Sequence, residues 1–325
     1  MIIVKTDGTK RNKFFEKICG MTQRELKRFL KKELKNRKRT VVNGDGFLFS
    51  EGDVPLLLVA HMDTVHKETP KEIIYSKGTV SSPQGIGGDD RCGIYMILQI
   101  IREINANVLF VEDEEIGGVG SGKFIKTETC KNLKGRIEFI IELDRKGSND
   151  AVYYDCSNVE FEEFVEKEFW KYGYGSFTDI CNLCPEIEVA GVNLSCGYYN
   201  AHHLDEYVVL REMEDAIKEV KKLILRRENK TYEYVECESY SSYSGLFGRL
   251  GSYGDYGRYD YCDYGYGYKK ETGVEKKAER NYEIVFRTNN GEEVYFINAI
   301  NEFEALGKFM VDHPDKTYDD VLEIY

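Results

Sequence analysis

Short uninterrupted apolar runs mark the first two-thirds of the chain. Leu56-Leu57-Leu58-Val59-Ala60, Val108-Leu109-Phe110-Val111 and Phe139-Ile140-Ile141 each have the length of a strand buried on both faces. Between the first two, apolar residues recur with helical period from Cys92 to Ile104. Upstream, Leu26, Phe29, Leu30 and Leu34 follow the capping-box pattern Thr22-Gln23-Arg24-Glu25, predicting a helix that runs to about Arg39. Downstream, Met213, Ile217, Val220 and Ile224 share one face of a predicted helix from Leu210 to about Arg226. Val159 to Trp170 also reads as helical. Strands alternating with helices predict an α/β layered domain.

The pattern changes near residue 229. Residues 229–278 are poor in aliphatics and rich in Tyr and Gly, as in Tyr264-Gly265-Tyr266-Gly267-Tyr268. Such a stretch lacks the apolar material for a packed core and is expected to be a linker, with a sticky aromatic segment as the functional alternative. Periodicity returns in residues 279–325. Tyr282-Glu283-Ile284-Val285-Phe286 and Glu293-Val294-Tyr295-Phe296-Ile297 flank Asn289-Asn290-Gly291, a hairpin signal. A helix is expected from about Glu302 to Val311, making a ββα unit. The predicted division is therefore 1–228, 229–278 and 279–325.

The length of 325 residues fits about two domains. With 45 Lys+Arg against 57 Asp+Glu, the formal net charge is -12. That balance argues against a nucleic-acid binder and against coating an anionic membrane. No apolar run is long enough for a membrane span, and the first ten residues lack the apolar core of a signal peptide, so a cytoplasmic location is expected. Nine scattered cysteines suit free thiols, and the lone Cys181–Cys184 CxxC is a weak metal signal. The basic segment Arg24 to Arg39 is expected to be a solvated helix face, with an anionic partner as the alternative.

Acids and histidines collect where predicted strands end. His61-Met62-Asp63 follows the first apolar run, Asp113-Glu114-Glu115 the second, and Asp144 the third. Gly87-Gly88-Asp89-Asp90 precedes the first internal helix, and His202-His203 with Glu206 precede the helix at Leu210. Strand carboxyl ends are where open α/β sheets bind ligands. Two histidines and three carboxylates suit two zinc ions sharing one bridging carboxylate. Each cluster alone could be ordinary surface acid, and Asp90 could be a helix cap.

The order of these motifs resembles the di-zinc metallopeptidases that include peptidase T, carboxypeptidase G and the aminoacylases. The matching stretches are His61-Met62-Asp63-Thr64-Val65, Gly88-Asp89-Asp90-Arg91-Cys92-Gly93, Asp113-Glu114-Glu115-Ile116-Gly117, Asp144, and His202 through Glu206. The likeness spans roughly residues 20 to 228. It implies a three-layer α/β/α sandwich with a mixed central sheet, of the zinc exopeptidase type. It also implies two Zn(2+), with Co or Mn as substitutes. His61 and Asp144 would hold one ion, Glu115 and His202 the other, and Asp89 would bridge them. Asp63 would orient His61, and Glu114 would be the general base acting on a metal-activated water. A cis peptide at Asp89-Asp90 would be a family trait.

The family spacing of His to Glu selects His202 over His203 as ligand, while His66 is expected to be structural or peripheral. Arg91 stands where many relatives have Lys. Only about 33 residues separate Asp144 from Thr178, so the inserted lid that dimerises many relatives is expected to be absent. The implied activity is hydrolysis of an amide bond in short peptides, with an aminopeptidase leading. A deacylase of N-acyl amino acids and a non-catalytic binding protein on the same scaffold are the alternatives. No nucleic acid or membrane partner is expected, and the oligomeric state stays open, a monomer included.

Overall fold

The computed structural model describes residues 2–237, 280–288, 291–299, 309, 313 and 321–324. The chain divides into two units, Met1–Asp263 and Tyr264–Tyr325.

In the first unit, the described residues form an eight-stranded mixed sheet. Its order is Lys171–Tyr172, Asp150–Val152, Gly191–Ser195, Phe139–Arg145, Val54–His61, Ala106–Val111, Phe47–Ser50 and Val41–Gly44. The four central strands run parallel, and the antiparallel pairings lie toward the edges. The three apolar runs are therefore three adjacent inner strands. Their alternation fills two cores. Leu56, Leu58 and Ala60 point into one, with the helices Lys13–Cys19, Gly88–Ile100 and Leu210–Leu225. Leu57 and Val59 point into the other, with the helices Val119–Phe124, Glu128–Lys131 and Ile180–Ile187. This is the expected α/β/α sandwich. A second sheet of five strands pairs Ile3–Thr6, Glu72–Ser76, Thr79–Ser81, Tyr207–Val209 and Tyr198–Tyr199 in that order.

Helix Gly88–Ile100 is buried along nearly its whole length. Its regular turns start after Asp90, whose Oδ1 accepts the Gly93 N–H at 2.8 Å. Gly93 lies against the strand Phe139–Arg145, and a Cβ there would stand 1.7 Å from the Leu143 carbonyl oxygen. The glycine thus sets how closely the acid-bearing helix approaches the acid-bearing strand. The helix predicted to run to Arg39 spans Gln23–Asn36 with the capping box in place, and that predicted over 159–170 spans Val159–Glu166.

The residues between Asp144 and Thr178 build the sheet edge through Asp150–Val152, Val159–Glu166 and Lys171–Tyr172. They leave no room in the sequence for an inserted domain. Pairing in the first unit also runs past residue 228. Glu233 bridges Val189, Glu236 bridges Cys156, and Tyr232 is buried against Phe139, Phe161 and Phe164. The start of the predicted linker therefore belongs to the first unit, because Tyr232 supplies apolar surface that the local composition concealed. The rest of that linker, residues 238–278, lies outside the described residues.

In the second unit, Arg280–Thr288 and Gly291–Ala299 pair antiparallel from Thr288 opposite Gly291, as the hairpin signal predicts. A third strand, Val321–Ile324, pairs with the first of these and was not foreseen. The helix expected over 302–311 lies outside the described residues except for Phe309, which packs on Phe286.

Candidate active site

The parallel strands deliver their carboxyl ends to one edge of the sheet, and the predicted residues meet there. His61 ends its strand fully buried. Its Nδ1 lies 3.2 Å from Asp63 Oδ1. Its Nε2 lies 2.9 Å from Asp89 Oδ1 and 3.3 Å from Asp144 Oδ1. On the other side, His202 Nε2 lies 3.2 Å from Asp89 Oδ2 and 3.1 Å from Glu115 Oε2. One oxygen of Asp89 thus faces each histidine. The Asp89-Asp90 peptide is cis.

Asp63 does more than orient one ring. Its Oδ1 accepts the Glu114 N–H at 3.1 Å and its Oδ2 the Glu115 N–H at 3.0 Å. A single carboxylate therefore fixes His61 and the backbone that carries both glutamates. Gln23 and Lys27 hold the same loop from the basic helix, through Asp113 at 3.0 Å and Glu112 at 2.5 Å.

Several supporting contacts escaped the sequence reading. The buried Glu206 accepts the N–H groups of Gly87 at 2.7 Å and Asp89 at 3.0 Å, and lies 3.0 Å from His66 Nε2. His66 is thus structural, as expected, beneath the segment that carries Asp89. Asp90 Oδ2 accepts the His61 N–H at 3.1 Å. Arg91, buried, donates to the carbonyls of Met62 and Met21. Thr178 Oγ1 donates to Asp144 Oδ2 at 3.2 Å. Of these, Glu206 carried a signal in its spacing from His202 and Asp90 in its place before the helix, whereas nothing in the sequence marked the partners of Arg91 or Thr178.

The electrostatics show a surplus of negative charge. Burial pushes Glu114 up to about 9, with Asp144, Asp179 and Glu115 adding to the shift and His61 opposing it. Burial and Asp89 push Glu115 to about 7 and Asp144 to about 6. Burial disfavours the His61 cation, but Asp144, Asp63 and Asp89 outweigh it and hold its pKa well above the ordinary value. Asp89 and Glu115 push His202 to about 11. Burial raises Asp63 and Asp89, yet the neighbouring imidazoles and amides leave both below the ordinary value. Behind the site, burial drives up Glu142 and brings Asp179 to about 7.

Such a cluster could serve as the donor set of a cation site. His61, Asp89 and Glu115 place ligand-capable atoms within 4.8 Å of one another, and so do His61, Asp90 and Asp144. Both Asp90 oxygens already accept backbone N–H groups, so Asp90 acts as an orienting group. Glu115 Oε1 is buried without a hydrogen-bond partner among the described residues, an acceptor a cation would satisfy.

The profile of Peptidase family M28 matches residues 18–181. The chain belongs to peptidase family M28. As an M28 peptidase it is a metallo-exopeptidase, and its fold agrees with solved structures. Aminopeptidase PepT from Bacillus cereus ATCC 10987 superposes with a TM-score of 0.53 at 13% identity, covering 65% of this chain and 96% of that one. Aminopeptidase APDkam598 from the archaeon Desulfurococcus kamchatkensis gives 0.50 at 13% identity, covering 66% and 94%. No curated protein matches the chain. The matched segment of this M28 peptidase includes His61, Asp63, Asp89, Glu114, Glu115 and Asp144, and His202 lies beyond it. No described helix is long and apolar enough to cross a membrane.

Proposed function

We propose that the protein is a zinc-dependent aminopeptidase of short peptides, with Glu114 as general base. The observation that carries this reading is Asp89, whose two oxygens face His61 Nε2 at 2.9 Å and His202 Nε2 at 3.2 Å. A carboxylate so shared suits two cations. His61 and Asp144 would hold one, His202 and Glu115 the other, with Asp89 common to both. When bound, two zinc ions polarise the scissile carbonyl and acidify water.

The chain's own residues supply the rest. Asp63 takes the Nδ1 side of His61, leaving Nε2 directed at the site. With the surrounding carboxylates neutralised, Glu114 is the group free to accept a proton and pass it to the leaving amine. Asp63 positions that glutamate through its backbone. His61 is fully buried whereas the His202 side chain is 41% exposed, so substrate would enter from the His202 side.

Zinc content and hydrolysis of amino-acid amides, tripeptides and N-acyl amino acids test the proposal. Amides and tripeptides should be cleaved by the zinc-loaded protein, and cleavage of N-acyl amino acids alone would replace it with a deacylase. Glu114→Gln should lower kcat by about 10²–10⁴-fold with zinc retained. Full activity in that variant would overturn the assigned base.

A further inference from the structure

At the end of the sheet opposite the candidate active site lies a cavity of about 510 Å³. It opens where the strands Val54–His61 and Ala106–Val111 begin, roughly 23 Å of strand away from His61. Four cationic residues line it, Arg37, Lys38, Arg39 and Arg102, against the acids Glu51 and Asp53.

Elsewhere on this acidic protein, basic side chains pair with carboxylates, as Lys5 does with Glu72, Lys123 with Asp45 and Lys131 with Glu128. Among the described residues, none of these four has a carboxylate within ion-pair distance, and Glu51 is already engaged by Arg136 at 2.5 Å. Arg39 is already engaged by the protein. Its guanidinium donates to Ser50 Oγ at 2.9 Å and to main-chain carbonyls of Ser50, Glu51 and Ala106, so its charge is held by neutral acceptors. Arg37 Nε is buried with no hydrogen-bond partner among the described residues. Arg102 is fixed over the Phe14 ring, 5.7 Å from its centroid.

The carboxyl-terminal ends of Gln23–Asn36 and Gly88–Ile100 both point here, and helix C-termini favour cations. That preference explains why basic residues gather. It does not explain why four cations line one cavity with a buried guanidinium donor left over. Burial, and after it the charge of Arg102, hold the Arg37 pKa below its ordinary value, with Glu33 opposing. Guanidinium forks match the oxygens of a phosphate group.

We infer that this cavity binds a small phosphate-bearing anion through Arg37, Arg102 and Lys38. The site accounts for the basic end of the segment Arg24 to Arg39, which the peptidase chemistry does not use. Asp53, whose charge acts on Arg39, disfavours an anion beside that residue.

Calorimetric titration of the full-length zinc-loaded protein with pyrophosphate and with ADP tests the inference. Both probes should bind, and R37Q/R102Q should weaken them about tenfold or more. R28Q, on the same helix but outside the cavity lining, should bind like the parent. The double variant keeps every metal-facing residue, so binding at that distant site cancels in the comparison. Peptide hydrolysis and thermal midpoint serve as its folding control. If it does not fold, R102Q alone, an exposed side chain, should still bind several-fold more weakly. A preference for ADP identifies a nucleotide, and equal binding identifies the phosphate group alone. Absence of binding by either probe, or equal binding in parent and variant, overturns the inference.

Discussion

The buried carboxylate of Glu206 accepts the backbone N–H of Asp89 at 3.0 Å. That bond joins the segment after His202 to the residue placed between the two histidines. Glu206 also takes the Gly87 N–H, so its removal would strand two buried donors. Each such donor costs about 1–3 kcal/mol. Glu206→Ala is expected to lower stability by about 3–5 kcal/mol in chemical denaturation and to weaken zinc binding about 10–100-fold in competition with a chelator. Unchanged zinc affinity would show that the Asp89 segment holds its position without this support.

Gly93 separates helix from strand by the width of a hydrogen atom in place of a methyl group. A Cβ there would meet the Leu143 carbonyl oxygen at 1.7 Å and Asp90 Oδ1 at 2.5 Å, neither of which can retreat cheaply. Gly93→Ala should therefore destabilise by more than about 3 kcal/mol, or give insoluble protein. Soluble expression with a parental thermal midpoint would contradict this packing.

The adjacent histidines should separate in a substitution pair. His202 Nε2 contacts Asp89 and Glu115, while the His203 backbone serves the turn between Asn200 and Glu206. His202→Ala should reduce bound zinc and abolish peptide hydrolysis. His203→Ala should retain zinc and alter activity by less than about tenfold. Zinc analysis of the two purified variants distinguishes them, and the reverse pattern would move the ligand role to His203.

Metal removal should leave a pH signature. In the metal-free chain, Asp144 rises from 3.8 to about 6, Glu115 from 4.5 to about 7 and Glu114 from 4.5 to about 9. A raised folded-state pKa adds stability that is complete below the unfolded value and is lost as pH climbs through the folded one. These three groups therefore weaken the metal-free fold progressively between about pH 4 and pH 9. Zinc offsets the charge that accumulates. The zinc-induced rise in thermal midpoint should thus grow from about pH 5 to pH 8. A rise that is flat or shrinks over that window would show that these carboxylates do not face the ion.

The sequence by itself determined the layered architecture and the ends of strands on which the chemistry stands. Run length and period report burial directly, because an inner strand meets apolar neighbours on both faces and a flanking helix on one. The order of His61, Asp89, Glu114, Glu115, Asp144 and His202 was legible for the same reason, since each motif sits at the boundary of an apolar element. Only the tertiary structure decided how those groups face one another. Asp89 lies between histidines more than a hundred residues apart in the chain, at His61 and His202. Asp63 reaches forward to the amides of Glu114 and Glu115, Glu206 reaches back to Gly87, and Arg91 reaches the carbonyls of Met62 and Met21. The meeting of Arg37 and Arg102 at one cavity is of the same kind. Such contacts join groups that share no local period, so nothing in either segment alone records its partner, and folding brings them together.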